Sequence, residues 1–452
     1  MQFELTKEFI DGLKSVIATK DESLALMLLE DLHAVDIAEI YNELELDEAR
    51  FLFLIIDKEL AADVLSELEE DEREHFLKSI PSEIIASQFI EEMDSDDAAD
   101  VLGILPEDKQ EEILQHVRDV EQAGDIVDLL NYDEDTAGGL MAKELVKANV
   151  NWDVTLCIKD IRKQAEEVDE LYIVYVVDDA GVLKGTLSLK DLIVSGPKEK
   201  IGNIYKSDII SVKAEMPSEE VAHIMDRYDL VSLPVVDNIG RLVGRITIDD
   251  VVDVIREEAE KDYQMISGIT EDVESGDKVW ILTRARLPWL FLGLLGGLTG
   301  ALVMSRHELI LGKFPQLAFF APLIAAMGGN AGVQSSSIIV QGLASNSMGF
   351  ESTGKKLLKE FFIAMINGVI LSSLLLGITY FILKNLDLTI TVSCALFSVI
   401  IIATVFGAFI PLLLNRLKID PALATGPFIT TFNDIMGLFI YFLIGSAVFN
   451  SL

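Results

Sequence analysis

PFITTFNDIMGLFIYFLIGSAVF, residues 427–449, decides how the chain is read. The stretch is as long as a bilayer-crossing helix, which needs about 20 apolar residues. Its only charged residue is Asp434. An ionised carboxylate costs roughly 3 kcal/mol or more near the middle of such a helix. Chains tolerate that cost where the group faces a wet cavity or binds a cation. Gly426 and Pro427, then Thr430, Thr431 and Asn433, place a short polar run just ahead of the acid. The alternative is a carboxylate near a helix end that reaches the lipid headgroups.

Four further apolar stretches can span: 288–304, 315–344, 361–383 and 388–414. The second is too long for one straight helix, and Gly328, Gly329 and Gly332 are expected to interrupt it. Asp434 reads as the only acid deep within a span. The charge of −39 is unevenly spread. Residues 284–452 hold six acids and ten bases; residues 1–283 hold the other 69 acids and 26 bases, a net of −43. The chain thus reads as a strongly acidic water-soluble part joined to a membrane part. Phosphate and carboxylate repel, which excludes nucleic acid as a partner. Bases mark the inner ends of spans. Arg284, Arg286, Lys355, Lys356, Lys359, Arg416 and Lys418 fall on one side, Arg306, Lys313 and Lys384 on the other. That bias predicts a plasma (inner) membrane protein with its N-terminus in the cytoplasm and its C-terminus outside. The opening MQFELTKEFIDGL is a mixed amphipathic start and not a signal sequence. Two cysteines, Cys157 and Cys394, and five scattered histidines support neither a disulfide framework nor a zinc site.

Residues 1–135 read as helices throughout, with Pro81 and Pro106 each opening a new one. AVDIAEIYNEL from Ala34, AADVLSEL from Ala61 and AADVLGIL from Ala98 form a weak repeat of helical pairs, which stack as a small solenoid. Asp36, Asp63 and Asp100 recur at one place in it. For Asp36 and Asp63 the reading is helix capping or solvation.

A second repeat is stronger. VVDDAGVLKGTLSLKDLIV from Val176 matches VVDNIGRLVGRITIDDVVD from Val235 at an offset of 59. Each copy has a strand, a turn at Gly181 or Gly240, a second strand, and a helix expected to start at Asp191 or Asp250. A helix lies ahead of each copy, over 158–167 or 219–228. This β-α-β-β-α unit, present twice, resembles a tandem pair of CBS domains. Such modules commonly bind adenine nucleotides or sense ions. The G-x-x-[ST]-x-x-D element is Gly185–Ser188–Asp191 and Gly244–Thr247–Asp250. Its Asp either takes a ribose or caps its helix.

After the second copy the helix runs on through DDVVDVIREEAEK. Spacings of three and four bring Asp250, Asp253 and Glu257 onto one face. Like charges there repel unless cations neutralise them.

Along its whole length the chain resembles the MgtE family of magnesium channels and transporters. MGGNAGVQ (327–334), DPAL (420–423) and GPFITTFNDIMG (426–437) carry the likeness, in that order behind a CBS pair. The resemblance implies a multi-domain membrane protein. Its parts would be an all-α superhelical N domain (1–135), α/β tandem CBS domains (136–200 and 201–262), a connecting helix (249–283) overlapping the second of these, and a five-helix α-helical transmembrane domain (284–452). It implies a magnesium importer, not an enzyme, that works as a homodimer with a pore between protomers and is closed by Mg²⁺ on its acidic cytoplasmic domains. Asp434 would hold the pore ion, with Asn330 nearby. The regulatory candidates are Asp97, Asp100, Glu219, Asp226, Asp229, Asp250, Asp253, Glu257, Glu258, Asp262 and Asp420. Pro217 and Lys261 stand where further acids would fit, which leaves some of those sites weaker. The likeness also implies ATP as a regulatory ligand of the CBS module, near Ser188, Asp191 and Asp250.

The chemistry of the residues agrees with magnesium. Mg²⁺ takes oxygen ligands in octahedral geometry and keeps several waters, so one or two carboxylates suffice. Two copies of Asp434 about a two-fold axis would hold a largely hydrated ion. Rival readings are a nucleotide-regulated transporter of Co²⁺ or Mn²⁺ and an intramembrane aspartyl hydrolase. The hydrolase needs two neighbouring carboxylates sharing a proton.

Overall fold

The computed structural model describes residues 5–165, 168, 171, 173–271, 273, 277–344, 352–424 and 426–450. The chain divides into two units, Met1–Arg256 and Glu257–Leu452.

The first unit begins with short amphipathic helices. Asp36 accepts a hydrogen bond from the His33 backbone N–H at 3.2 Å, and Glu48 accepts one from Glu45 at 2.9 Å. Acids at the third helical position thus close the first turns of Ala34–Tyr41 and Leu46–Ile55. Pro81 and Pro106 cap the helices Ser82–Gln88 and Glu107–Leu114, as expected. Apolar faces meet around Tyr41, Phe53, Phe76 and Phe89, whose ring centroids lie 4.4–6.2 Å apart. The same core continues into the second CBS-like repeat through Val221, Met225, Leu233 and Val251.

The two repeats fold alike. β1 (Lys147–Asn149) pairs parallel with β2 (Val174–Val177), which pairs antiparallel with β3 (Leu183–Leu187). β4 (Val212–Lys213), β5 (Ser232–Val236) and β6 (Leu242–Thr247) repeat that order. Val176 faces Gly185 across one hairpin and Val235 faces Gly244 across the other, so the 59-residue offset is preserved in register. A Cβ on Gly185 would lie 2.0 Å from the Lys206 carbonyl oxygen, which explains glycine there.

Helix starts differ from expectation. The preceding helices are Val154–Gln164 and Ser218–Tyr228, and the following ones begin at Leu189 and Ile248, ahead of Asp191 and Asp250. Ser188 is the N-cap of the first, and Asp191 sits three residues inside. The connecting helix is Ile248–Ser267 and stops well short of residue 283.

Among the described residues the second unit carries five helices long and apolar enough to cross a membrane: Val279–Arg306, Gln316–Ala344, Thr353–Leu383, Leu386–Arg416 and Gly426–Phe449. The second span is one continuous helix, so its glycines do not break it. Backbone N–H and C=O groups in hydrocarbon need partners within the helix. The glycines serve close packing instead. Large apolar side chains such as Leu290, Ile370 and Phe381 point outward, as a lipid-facing surface requires.

Candidate functional site

Asp434 lies on the fifth span, two turns from its start. Its Oδ1 is 3.0 Å from where a Cβ on Gly329 would stand, and Thr430 borders the same spot. The neighbouring Asn433 is buried, and its amide nitrogen would be 1.8 Å from a Cβ on Gly332. The glycines of the second span therefore let two polar side chains of the fifth approach its backbone. Asp434 Oδ1 and Asn433 Nδ2 are both shielded from solvent and have no hydrogen-bond partner among the described residues. Buried polar atoms are normally satisfied. An orphan carboxylate oxygen beside a bare helix backbone suits a hydrated cation, whose waters donate to it. Asn330 does not join this group, since it is exposed on another face of the second span.

Asp434 is not the only acid within a spanning helix. Glu360 is 7% exposed inside Thr353–Leu383 and accepts a hydrogen bond from Ser335 Oγ at 2.7 Å. The apolar run begins at Phe361, but the helix begins eight residues earlier, and that hid this acid from a reading of hydropathy.

A second candidate site lies in the first unit. Desolvation raises the carboxyl of Asp97, and Asp63, Asp249 and Glu67 add to the rise while Arg73 opposes it. Loss of water and the charge of Asp97 push Asp100 up to about 7. Asp250 is pushed up to about 6 by desolvation, with Asp249 and Asp97 adding repulsion. Glu67 is raised by burial and then by Asp253. Asp97, Asp100, Asp250 and Asp253 thus share one crowded acidic field with Asp63, Glu67 and Asp249. Asp96 belongs there too, raised well above the usual range by burial and by Asp250. The sequence reading missed Asp96, Asp249 and Glu67, and it took Asp63 for a capping or solvated residue. The Arg73 guanidinium is anchored among these acids by the carbonyls of Ser66 and Leu68, at 2.6 and 2.9 Å.

Glu219 and Asp226 are exposed on Ser218–Tyr228, and Asp229 is its left-handed C-cap. Ser188 Oγ and the Asp191 carboxylate bond each other at 2.7 Å, and Asp250 takes the Thr247 N–H at 2.9 Å. Both motif acids therefore act as cap partners. In the second unit Glu258 pairs with Lys261 at 3.1 Å, so the base that stands where a further acid would fit offsets one. Glu257 is exposed and Asp262 half-buried on the same helix. Asp420 accepts the Ala422 N–H at 2.8 Å, heading the turn before the last span.

Comparison with known proteins bears on both sites. Residues 321–444 match the MgtE family model, described as a divalent cation transporter. Residues 32–135 match the MgtE intracellular N domain, and 201–257 a CBS domain. The magnesium transporter MgtE of Bacillus subtilis is 34% identical over 427 residues, 94% of each chain. That of Thermus thermophilus is 33% identical over 436 residues, 95% of this chain and 96% of its own. The cytosolic domain of the Mg²⁺ channel MgtE, solved in complex with ATP, is 34% identical. It superposes with a TM-score of 0.51 and covers 54% of this chain and 99% of its own.

Proposed function

We propose that this chain, which belongs to the MgtE family of divalent cation transporters, imports Mg²⁺ along a path that passes the Asp434 carboxylate. The observation that carries this reading is the shielded, partnerless Asp434 oxygen against Gly329. A cation with a tightly held water shell needs few protein ligands and gives up its waters reluctantly. One carboxylate from each of two protomers, related by a two-fold axis, would supply −2 to a largely hydrated ion. The N-terminal part then lies in the cytoplasm, where the Mg²⁺ level is sensed.

The acidic field around Asp97, Asp100 and Asp250 is the regulatory site of this reading. Burial raises those carboxyls first and the neighbouring acids add to the rise; divalent cations binding there would stabilise the charged forms against both. An ion that binds the closed arrangement better shifts the protein towards it. The CBS module is the place for ATP, by analogy with the relative solved with that nucleotide.

The test is flux into liposomes with a panel of divalent cations. Wild type should pass Mg²⁺, and Asp434→Ala, reconstituted at equal density, should lose passage while keeping its fold. Uptake by Asp434→Ala near the wild-type level removes Asp434 from the path.

A further inference from the structure

Glu360 has no part in the reading above, yet it is the buried acid of the third span. A carboxylate in a spanning helix is costly, and chains keep one where it is paired and serves a function. Glu360 holds the second span, through Ser335, itself only 3% exposed.

The second span has an unusual need for such a tie. Where it meets the fifth it presents Gly328, Gly329 and Gly332, with Asn433 and Asp434 against them. A glycine face carries no side chains to lock a helix against rotation. Two buried hydrogen bonds flank it. On one side Tyr441 Oη donates to the Leu317 carbonyl oxygen at 2.8 Å. On the other Ser335 donates to Glu360 at 2.7 Å. Ser335 is six residues beyond Gly329, about 9 Å along the axis. The first tie joins the second span to the fifth and the other joins it to the third, so rotation between them is fixed at both ends. A turn of 20° would move a Cα on a helix of about 2.3 Å radius by roughly 0.8 Å. That is a large change beside an oxygen 3.0 Å from the Gly329 Cβ direction.

We propose that Glu360 is a positioning residue for ion passage. Through Ser335 it sets the rotation of the second span and with it the gap between Gly329 and Asp434. The proposal rests on the reading of Asp434 as the ion-facing carboxylate.

The test uses the full chain in liposomes and measures Mg²⁺ uptake against concentration for Ser335→Ala, Glu360→Ala, Glu360→Gln and the double alanine variant. Positioning through the hydrogen bond predicts that Ser335→Ala and Glu360→Ala shift the apparent KM or maximal rate by similar factors, roughly three- to tenfold. The double variant should be no worse than either single one, because both remove the same bond. Glu360→Gln should keep most activity, since its amide oxygen still accepts from Ser335. Loss in Glu360→Gln with wild-type uptake in Ser335→Ala would mean that the charge itself meets the ion, and would overturn the proposal. Wild-type uptake in both alanine variants overturns it too. If Glu360→Ala does not reach the membrane, Ser335→Ala and Glu360→Gln decide the matter alone. Asp434→Ala, run alongside, separates the failures. Full uptake there refutes the ion-facing role of Asp434, whatever the pattern at Ser335 and Glu360.

Discussion

Replacing Asp100 by asparagine should stabilise the first unit when divalent cations are absent and weaken it when they are present. Loss of water and the charge of Asp97 push this carboxyl up to about 7 in the folded unit, against an ordinary value near 4. A carboxyl so raised binds its proton more tightly folded than unfolded. Below about pH 4 both states are protonated and no penalty exists. The penalty grows as pH rises and is complete above about pH 7. A rise of that size corresponds to at most about 4 kcal/mol. The Asp100 side chain also reaches solvent, and screening reduces the figure to about 1–2 kcal/mol. The Asp100→Asn substitution removes that penalty along with the charge.

Thermal unfolding of residues 1–262 measures the effect. In chelator at pH 8 the variant should melt about 2–8 °C above wild type. At pH 4.5 the gap should shrink, because folded wild type is then protonated at Asp100. In millimolar Mg²⁺ at pH 8 the order should reverse. Wild type gains stability by binding the ion in its folded state, and the variant has lost a ligand. A variant that melts below wild type in chelator at pH 8 refutes the repulsion argument. A difference that is the same with and without Mg²⁺ refutes the ion site.

A Cβ on Gly407 would stand 2.3 Å from the Gly332 carbonyl oxygen, so Gly407→Ala must part the second and fourth spans by about 1 Å and cost about 1–3 kcal/mol; Gly377→Ala, where a Cβ meets open space, should melt like wild type in the same detergent assay. Neutralising Asp250, Asp253, Glu257 and Glu258 together should leave the path open at high internal Mg²⁺ in patch recordings, whereas a variant that closes more readily than wild type would show that these acids only repel one another.

The parts of this fold that were legible in the sequence are those set by local pattern. The 59-residue repeat shows in sequence because strand alternation and the turn glycines Gly181 and Gly240, both at positive φ, are local requirements. The spans show because hydropathy is local too. Packing decided the rest. The starts of the two CBS helices were misplaced because Ser188 takes the N-cap and Asp191 turns back to bond it, whereas the sequence reading began the helix at the acid. Gly328, Gly329 and Gly332 resemble a break until Asn433 and Asp434 are placed against them. Asp96 stands near Asp94 and Asp97 in sequence, and it is the fold that singles it out, by burying it and by bringing Asp250 and Glu144 to it.

The connecting helix, Ile248–Ser267, begins in the first unit and ends in the second. Near its start, Asp249, Asp250 and Asp253 take part in the acidic field of the first unit. Near its end, within the second unit, the Ile266 carbonyl oxygen lies 2.2 Å from where a Cβ on Gly426 would be, and Gly268 abuts Pro427. Gly426 has φ +50° and opens the last span, eight residues before Asp434. No side chain fits between the helix end and the head of that span. Binding a cation a hundredfold better in one arrangement of the acids supplies about 2.7 kcal/mol to bias it. Burial is the larger cause of the raised carboxyls at Asp97, Asp100 and Asp250, and the charges of neighbouring acids add to it. On the proposed reading, the cost that the crowded acids impose on the cation-free first unit is relieved when a cation binds, and that difference biases the arrangement of those acids.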